Sequence, residues 1–274
     1  MKILFSPLLI LALFTLGGCS DSTQQIDAQQ ADAEQAKGKP ELLIYCGITM
    51  ANPMKAIAEV IEREQNVKIL INQGGSLDLY KSLAASRKGD LYLPGSASYR
   101  EDNLADGLLG DFVHLGYNQA ALLVKRGNPH RVQPLLTQLE RSDLIVGVCN
   151  PDSGSIGRET KKILEAYGNY DKVLNNSSYM KTDSRNLNRA LREGEIDLTL
   201  NWRATAFFPE NREALQAVDL DPSLAKPKKL LLNLLSFSEH PQVARRFMEY
   251  AASAEGQAIF RRYGFLDRDG RVDP

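Results

Sequence analysis

The sequence predicts an α/β protein of two lobes, each with a central, mostly parallel sheet flanked by helices. Three observations carry that reading. From Glu41 onward, short apolar runs alternate with amphipathic stretches, the rhythm of strands joined by helices. The β-α-β-α-β pattern of Glu41 to Ser96 restarts after Ala120 without a sharp internal repeat. The chain has 274 residues, 43% apolar and 24% charged, enough for a large core in one or two domains.

The first segment belongs to export rather than to the fold. Lys2 precedes an almost wholly apolar run from Ile3 to Leu16, about fourteen residues and too short to span a bilayer. Leu16-Gly17-Gly18-Cys19 then sets two small residues before a cysteine, which resembles a bacterial lipobox. Residues 1–18 are therefore expected to be a lipoprotein signal peptide and Cys19 the lipidated N-terminus. Residues 19–40 are rich in Gln, Asp and Ala, with Ile26 the one large aliphatic residue. Such a stretch cannot offset its ordering entropy and reads as a tether. The expected location is the periplasmic or extracytoplasmic side of a membrane, reached through a lipid anchor.

Leu42 to Tyr45 reads as a buried strand, and Asn52-Pro53 as an N-cap with proline at the first helical position. Met54, Ile57, Ala58 and Ile61 follow at helical spacing. Val67 to Ile71 is the second strand, and Gly74-Gly75-Ser76 opens a helix carrying Leu79, Tyr80 and Leu83. Leu91 to Leu93 is a third strand, ended by Pro94-Gly95-Ser96. In the second half, Ala120 to Val124 and Leu144 to Val148 read as strands. Helices follow over Ile156–Tyr167 and Leu187–Arg192, then a buried strand over Ile196–Trp202. Leu230 to Leu235 is the last long apolar run, and Pro241 to Tyr263 reads as helical. The expected lobes are 41–124 with 230–274, and 125–229, with crossings near Val124-Lys125 and Leu224 to Leu232.

Several chemistries are disfavoured. With 33 Lys+Arg against 34 Asp+Glu, the chain lacks the basic excess of a nucleic-acid binder. His114, His130 and His240 share no metal-ligand spacing, and three cysteines make neither a disulfide scaffold nor a four-thiolate site. No nucleophile elbow, Walker loop or dinucleotide fingerprint occurs, and nothing brings Asp90 and Asp152 together. No metal or cofactor is expected.

What remains is three polar clusters between a strand and a helix: Gly47-Ile48-Thr49, Gly74-Gly75-Ser76 and Ser153-Gly154-Ser155 with Gly157. Free N–H groups at a helix start favour an anion, and glycine lets the backbone approach it. The same residue types also serve as ordinary caps. Three such clusters on successive strand ends point to a ligand site, because ligands of open α/β sheets gather there.

At these clusters the chain resembles the periplasmic substrate-binding proteins of ABC importers, in the type II group that includes the molybdate-binding proteins. Val67 to Ser76, Gly89-Asp90-Leu91-Tyr92-Leu93, Pro151-Asp152-Ser153 with Gly157-Arg158, and Ser253 to Phe265 carry the likeness. It spans roughly Glu41 to Phe265. The resemblance implies the two-lobed periplasmic-binding-protein fold, closing on its ligand. It also implies ligand contacts at Thr49, Ser76, the backbone at Ile156 and near Ser184, and Trp202 where the family has tyrosine. Arg203 beside it could add a charge that a molybdate pocket lacks. The implied partners are a small anion and an ABC permease, the protein acting as a monomer.

The expected function is capture of a small oxyanion, molybdate- or tungstate-like. A larger phosphorylated or carboxylic acid is the alternative, with an enzyme acting on such an anion a further one. The same resemblance places Cys46 and Cys149 on opposite cleft walls. A bond between them would pin the hinge, so both are expected to be unpaired.

Overall fold

Two five-stranded sheets organise the chain in the computed structural model, which describes residues 39–271. The signal segment, Cys19 and all but the end of the tether lie outside the described residues. The strands are β1 (Glu41–Gly47), β2 (Lys68–Gly74), β3 (Leu91–Leu93), β4 (Leu109–Asn118), β5 (Ala120–Lys125), β6 (Val146–Cys149), β7 (Ser177–Lys181), β8 (Leu198–Trp202), β9 (Leu215–Asp219) and β10 (Lys228–Leu235). The first sheet runs β2-β1-β3-β10-β4 and the second β7-β6-β8-β5-β9.

Each sheet is mostly parallel in strand direction, as expected: four strands run one way, and only β10 in the first and β5 in the second run against them. β1 pairs in parallel with β2 and β3, and β6 with β7 and β8. β10 is antiparallel to β3 and β4, and β5 to β8 and β9. Parallel neighbours need a crossover of a dozen residues or more, whereas antiparallel ones do not. The antiparallel pairings here belong to the strands that carry the chain between the sheets.

One crossing lies elsewhere than the sequence reading placed it. β5 is wholly in the second sheet, opposite Trp202 at Ala120 and opposite Leu198 at Val124. The chain therefore passes between sheets at Gln119, not at Val124-Lys125. Apolar patterning marks Ala120–Val124 as a buried strand but does not say which sheet it joins. The return follows β9, and β10 restores the chain to the first sheet.

Eight helices pack on these sheets among the described residues: α1 (Ala51–Gln65), α2 (Ser76–Ser86), α3 (Ser98–Glu101), α4 (Ser155–Tyr167), α5 (Tyr170–Asn176), α6 (Ser184–Glu193), α7 (Pro241–Ala252) and α8 (Ala254–Arg262). α1 starts earlier than Asn52-Pro53 suggests, continuing a single 3-10 turn over Ile48–Met50. Pro53 fits because the first-turn N–H groups have no partner within the helix. The C-terminal helix is two. Ser253 accepts from the Gly256 backbone N–H at 3.2 Å and starts α8. A Cβ on Gly256 would run into the carbonyls of Tyr250 and Ala251, so glycine permits the sharp break.

Each sheet has its own core. Leu42, Ile44, Met54, Ile57, Phe247 and Phe260 are fully buried in the first. Leu122, Val146, Leu187 and Leu198 form the centre of the second. Among the described residues, no helix is long and apolar enough to cross a membrane.

Candidate ligand cleft

The polar clusters singled out in the sequence meet at one cleft between the two sheets. Ile48, Thr49, Gly74, Gly75 and Ser76 line it from the first lobe, and Gly154, Ser155, Ile156, Asp183 and Ser184 from the second. The enclosed void is about 10 Å³, close to the room one water needs. The walls are therefore nearly in contact. A Cβ on Gly75 would lie 2.8 Å from the Ser153 carbonyl oxygen, and one on Gly95 only 2.5 Å from Ser155 Oγ and 3.6 Å from Ser76 Oγ.

The helix ends give this cleft its polarity. α2 starts at Ser76 after Gly75, and α4 at Ser155 after Gly154, and neither has a side-chain cap. Their first N–H groups stay available, and the positive end of each helix faces the cleft. α6 differs: Asp183 caps it, accepting from the Asn186 backbone N–H at 2.9 Å. No lysine or arginine is among the described residues lining this void. Arg185 borders the adjoining space, with Asn188, Thr205, Phe208 and Asn211.

Supporting hydrogen bonds fix these ends. Tyr92 donates its hydroxyl to the Ser76 carbonyl at 2.8 Å, and the Gly95 N–H donates to Ser76 Oγ at 3.0 Å. Burial pushes the Tyr92 phenol well above its usual range, so it remains a donor. In the second lobe, Asn201 Nδ2 donates to the Ser184 carbonyl at 3.0 Å and to Asn188 Oδ1 at 2.8 Å. A Cβ on Gly157 would collide with the Asn150 backbone. Glycine there brings α4 down onto its own entry turn.

Thr49, Ser76, Ile156 and Ser184 thus share the cleft, all of them buried. Among the described residues Thr49 Oγ1 has only the Met50 thioether as partner, at 2.8 Å, a weak acceptor. Trp202 is fully buried behind the wall and donates its Nε1–H to Ser155 Oγ at 3.1 Å. Ser155 belongs to one of the polar clusters of the sequence, though the resemblance implies a contact at the neighbouring Ile156 backbone and not at Ser155. Its signal was legible: a hydroxyl at the first helical position after a glycine.

Arg203 does not join them. Its guanidinium lies between the crossings, with Nε 2.8 Å from Asp219 Oδ1 and Nη1 3.1 Å from the Gly264 carbonyl oxygen. Asp90 and Asp152 are likewise apart from the cleft lining. Asp90 is buried and accepts from the Leu43 N–H at 2.8 Å and the Ser238 hydroxyl at 2.6 Å. It fastens a strand rather than moving a proton. Among the described residues, no cluster of three or more His, Cys, Asp or Glu could hold a metal.

Cys46 and Cys149 are free and buried. Desolvation pushes the Cys149 thiol up to about 12 and the Cys46 thiol higher still.

Outside the void, side-chain contacts join the lobes directly, among them Lys228 Nζ at 2.8 Å from Glu159 Oε1. Arg185 Nη2 donates to Gln73 Oε1 at 2.9 Å, and Arg158 Nη1 to Asp102 Oδ2 at 2.9 Å.

Comparison with known proteins agrees with this architecture. The family model for bacterial extracellular solute-binding proteins matches residues 42–266. A "Putative binding protein" from Haemophilus influenzae is 22% identical over 227 residues, 82% of this chain and 91% of its own. The periplasmic molybdate-binding protein of Azotobacter vinelandii superposes with a TM-score of 0.71 at 12% identity, covering 82% of this chain and 98% of that one. A sulfate-binding protein from Mycobacterium tuberculosis gives 0.72 at 14% identity, covering 84% and 88%.

Proposed function

This chain belongs to the family of bacterial extracellular solute-binding proteins, and from that premise we propose that its cleft captures a small oxyanion for an ABC importer. One observation carries the reading. Two uncapped helix N-termini, one from each lobe, meet with the Ser76 and Ser155 hydroxyls in a void lined without lysine or arginine. Oriented N–H groups and hydroxyls hold an anion without a counter-ion. The molybdate- and sulfate-binding proteins of like fold support an anion of that kind.

The protein needs no chemistry for this. The lobes part, admit the ion, close on it, and present the closed form to the permease. Hinge closure around a ligand is a known device of such two-lobed folds. The lipobox-like Leu16-Gly17-Gly18-Cys19 supports a lipid anchor at Cys19, with the protein acting as a monomer outside the cytoplasm.

A larger organic anion is the second reading, favoured by Arg185 at the adjoining space. Arg203 no longer speaks for it, since its guanidinium is held by Asp219 and Gly264. A thermal-shift panel of molybdate, tungstate, sulfate, phosphate and small organic acids separates the readings, using protein lacking residues 1–19. An ion at a hundred times its dissociation constant adds ~2.7 kcal/mol of stability. A shift with the inorganic ions supports the first reading. A shift with organic acids alone supports the second, and turnover of any compound would replace both.

A further inference from the structure

We infer that Trp202 acts on the bound anion through Ser155 rather than by touching it. This rests on the oxyanion reading of the cleft and goes beyond it by assigning a positioning residue and a new ligand contact.

The geometry is specific. Trp202 ends β8, is fully buried and does not line the void, whereas Ser155 does. The indole Nε1–H donates to Ser155 Oγ at 3.1 Å. Its backbone is held on both sides. The Trp202 N–H donates to Asn201 Oδ1 at 2.8 Å, and the Trp202 carbonyl accepts from the Thr205 hydroxyl at 2.7 Å.

Direction follows from the donor inventory. A serine hydroxyl has one proton and two lone pairs, and an indole N–H donates only. Ser155 must therefore accept from Trp202, which leaves its own proton to give away. Ser76 stands in the same condition across the cleft, with Oγ accepting from the Gly95 N–H. A Cβ position on Gly95 lies near both oxygens, so the two hydroxyls converge. Each lobe thus presents one O–H with one lone pair engaged by an N–H and its proton free to donate. A ligand oxygen that accepts from both, as in a fully ionised oxyanion, matches this arrangement.

A tyrosine hydroxyl at this position could donate or accept and could reach the ligand itself. Tryptophan removes that choice. It passes the donor role to Ser155, whose proton it leaves free for the ligand.

The test uses Ser155→Ala, Trp202→Phe and the double variant. Affinities for molybdate and sulfate are measured by calorimetry, and the indole N–H proton resonance without any added ion. Trp202 is the single tryptophan, so one resonance reports the contact. In Ser155→Ala that resonance should move, and affinity should fall at least fivefold. Trp202→Phe should weaken binding to a similar degree, with the double variant no weaker than Ser155→Ala. An unmoved resonance overturns the inference, and so does unchanged affinity in Ser155→Ala. Losses that multiply in the double variant would mean that Trp202 meets the ligand independently. Should wild type bind neither ion, the oxyanion reading fails, while the resonance still decides the Trp202–Ser155 link. Ser155→Ala carries the test by itself if Trp202→Phe does not fold.

Discussion

Arg203 and Asp219 join the two crossings of the chain: Nε lies 2.8 Å from Oδ1, from the end of β8 to the end of β9. The Arg203 backbone N–H also donates to the Gln119 carbonyl at 2.8 Å, inside the other crossing. Its guanidinium lies 4.6 Å from the Phe207 ring centroid and donates to the Gly264 carbonyl. One side chain therefore ties both crossings to the C-terminal segment.

Truncating it should cost stability and not ligand contact. Arg203→Ala leaves a buried carbonyl unpaired, which costs roughly 1–3 kcal/mol. Asp219 is half exposed and is rehydrated. For a domain of this size we expect melting to fall by about 2–12 °C. Affinity measured well below that temperature should stay within about threefold. A tenfold loss of affinity at unchanged melting would return Arg203 to the ligand.

Gly75→Ala should prop the cleft open. Gly75 has φ −65° and ψ 140°, which alanine adopts freely, so no backbone strain arises. The added Cβ would lie 2.8 Å from the Ser153 carbonyl across the cleft, closer than real Cβ atoms come. Affinity should fall tenfold or more while melting without ligand stays within about 1 °C. Unchanged affinity would show that the lobes close differently around the ion.

Ser76→Ala and Thr49→Val divide ligand contact from scaffold. Loss of a hydrogen bond to a charged ligand costs about 1.5–3 kcal/mol, so each change should weaken binding at least tenfold. Ser76→Ala should also lower melting, because the buried Gly95 N–H loses its acceptor. Thr49→Val should not, since Oγ1 gives up only a thioether. Calorimetry and thermal melts on both variants check the pattern.

The two buried thiols should be inert in the folded protein and count as two after denaturation, in a form lacking residues 1–19. Their pKa is raised on folding by desolvation, so the sign of the pH effect is set. Stability is full below the unfolded thiol pKa of about 8.5 and declines as pH rises above it, because only the unfolded chain ionises. Cys149→Ala should flatten that decline between about pH 8.5 and 12. An unchanged alkaline limb would contradict the burial.

Much of this molecule was legible in its sequence where burial sets the pattern. β1 is a continuous apolar run and β10 one broken at Asn233. β8 is buried, with Leu198, Leu200 and Trp202 alternating with polar residues, and α1 shows its stripe at Met54, Ile57 and Ile61. β4 and β9 were missed because they are polar along much of their length, with β4 and β9 at sheet edges. β7, another edge strand, hides between two helices in Ser177–Lys181, nowhere fully buried. At the cleft, strand-end glycines and hydroxyls located the site, since a helix start needs those residue types. Trp202 and Arg203 were harder. Adjacent on a strand end, they point to different tasks, and only packing reveals which neighbour each one meets.

The order of strands has a consequence for how the chain folds. β5 to β9 form one continuous stretch that completes its own sheet, inserted between β4 and β10 of the other. Asn233 of β10 pairs with Tyr92 of β3, 141 positions earlier, and with Phe112 of β4. The first sheet is left in two halves until the inserted stretch has brought those ends together. Pairings so distant along the chain are slow to form. The second lobe is thus the local folding unit, and its compaction shortens the search by which the first lobe closes its sheet.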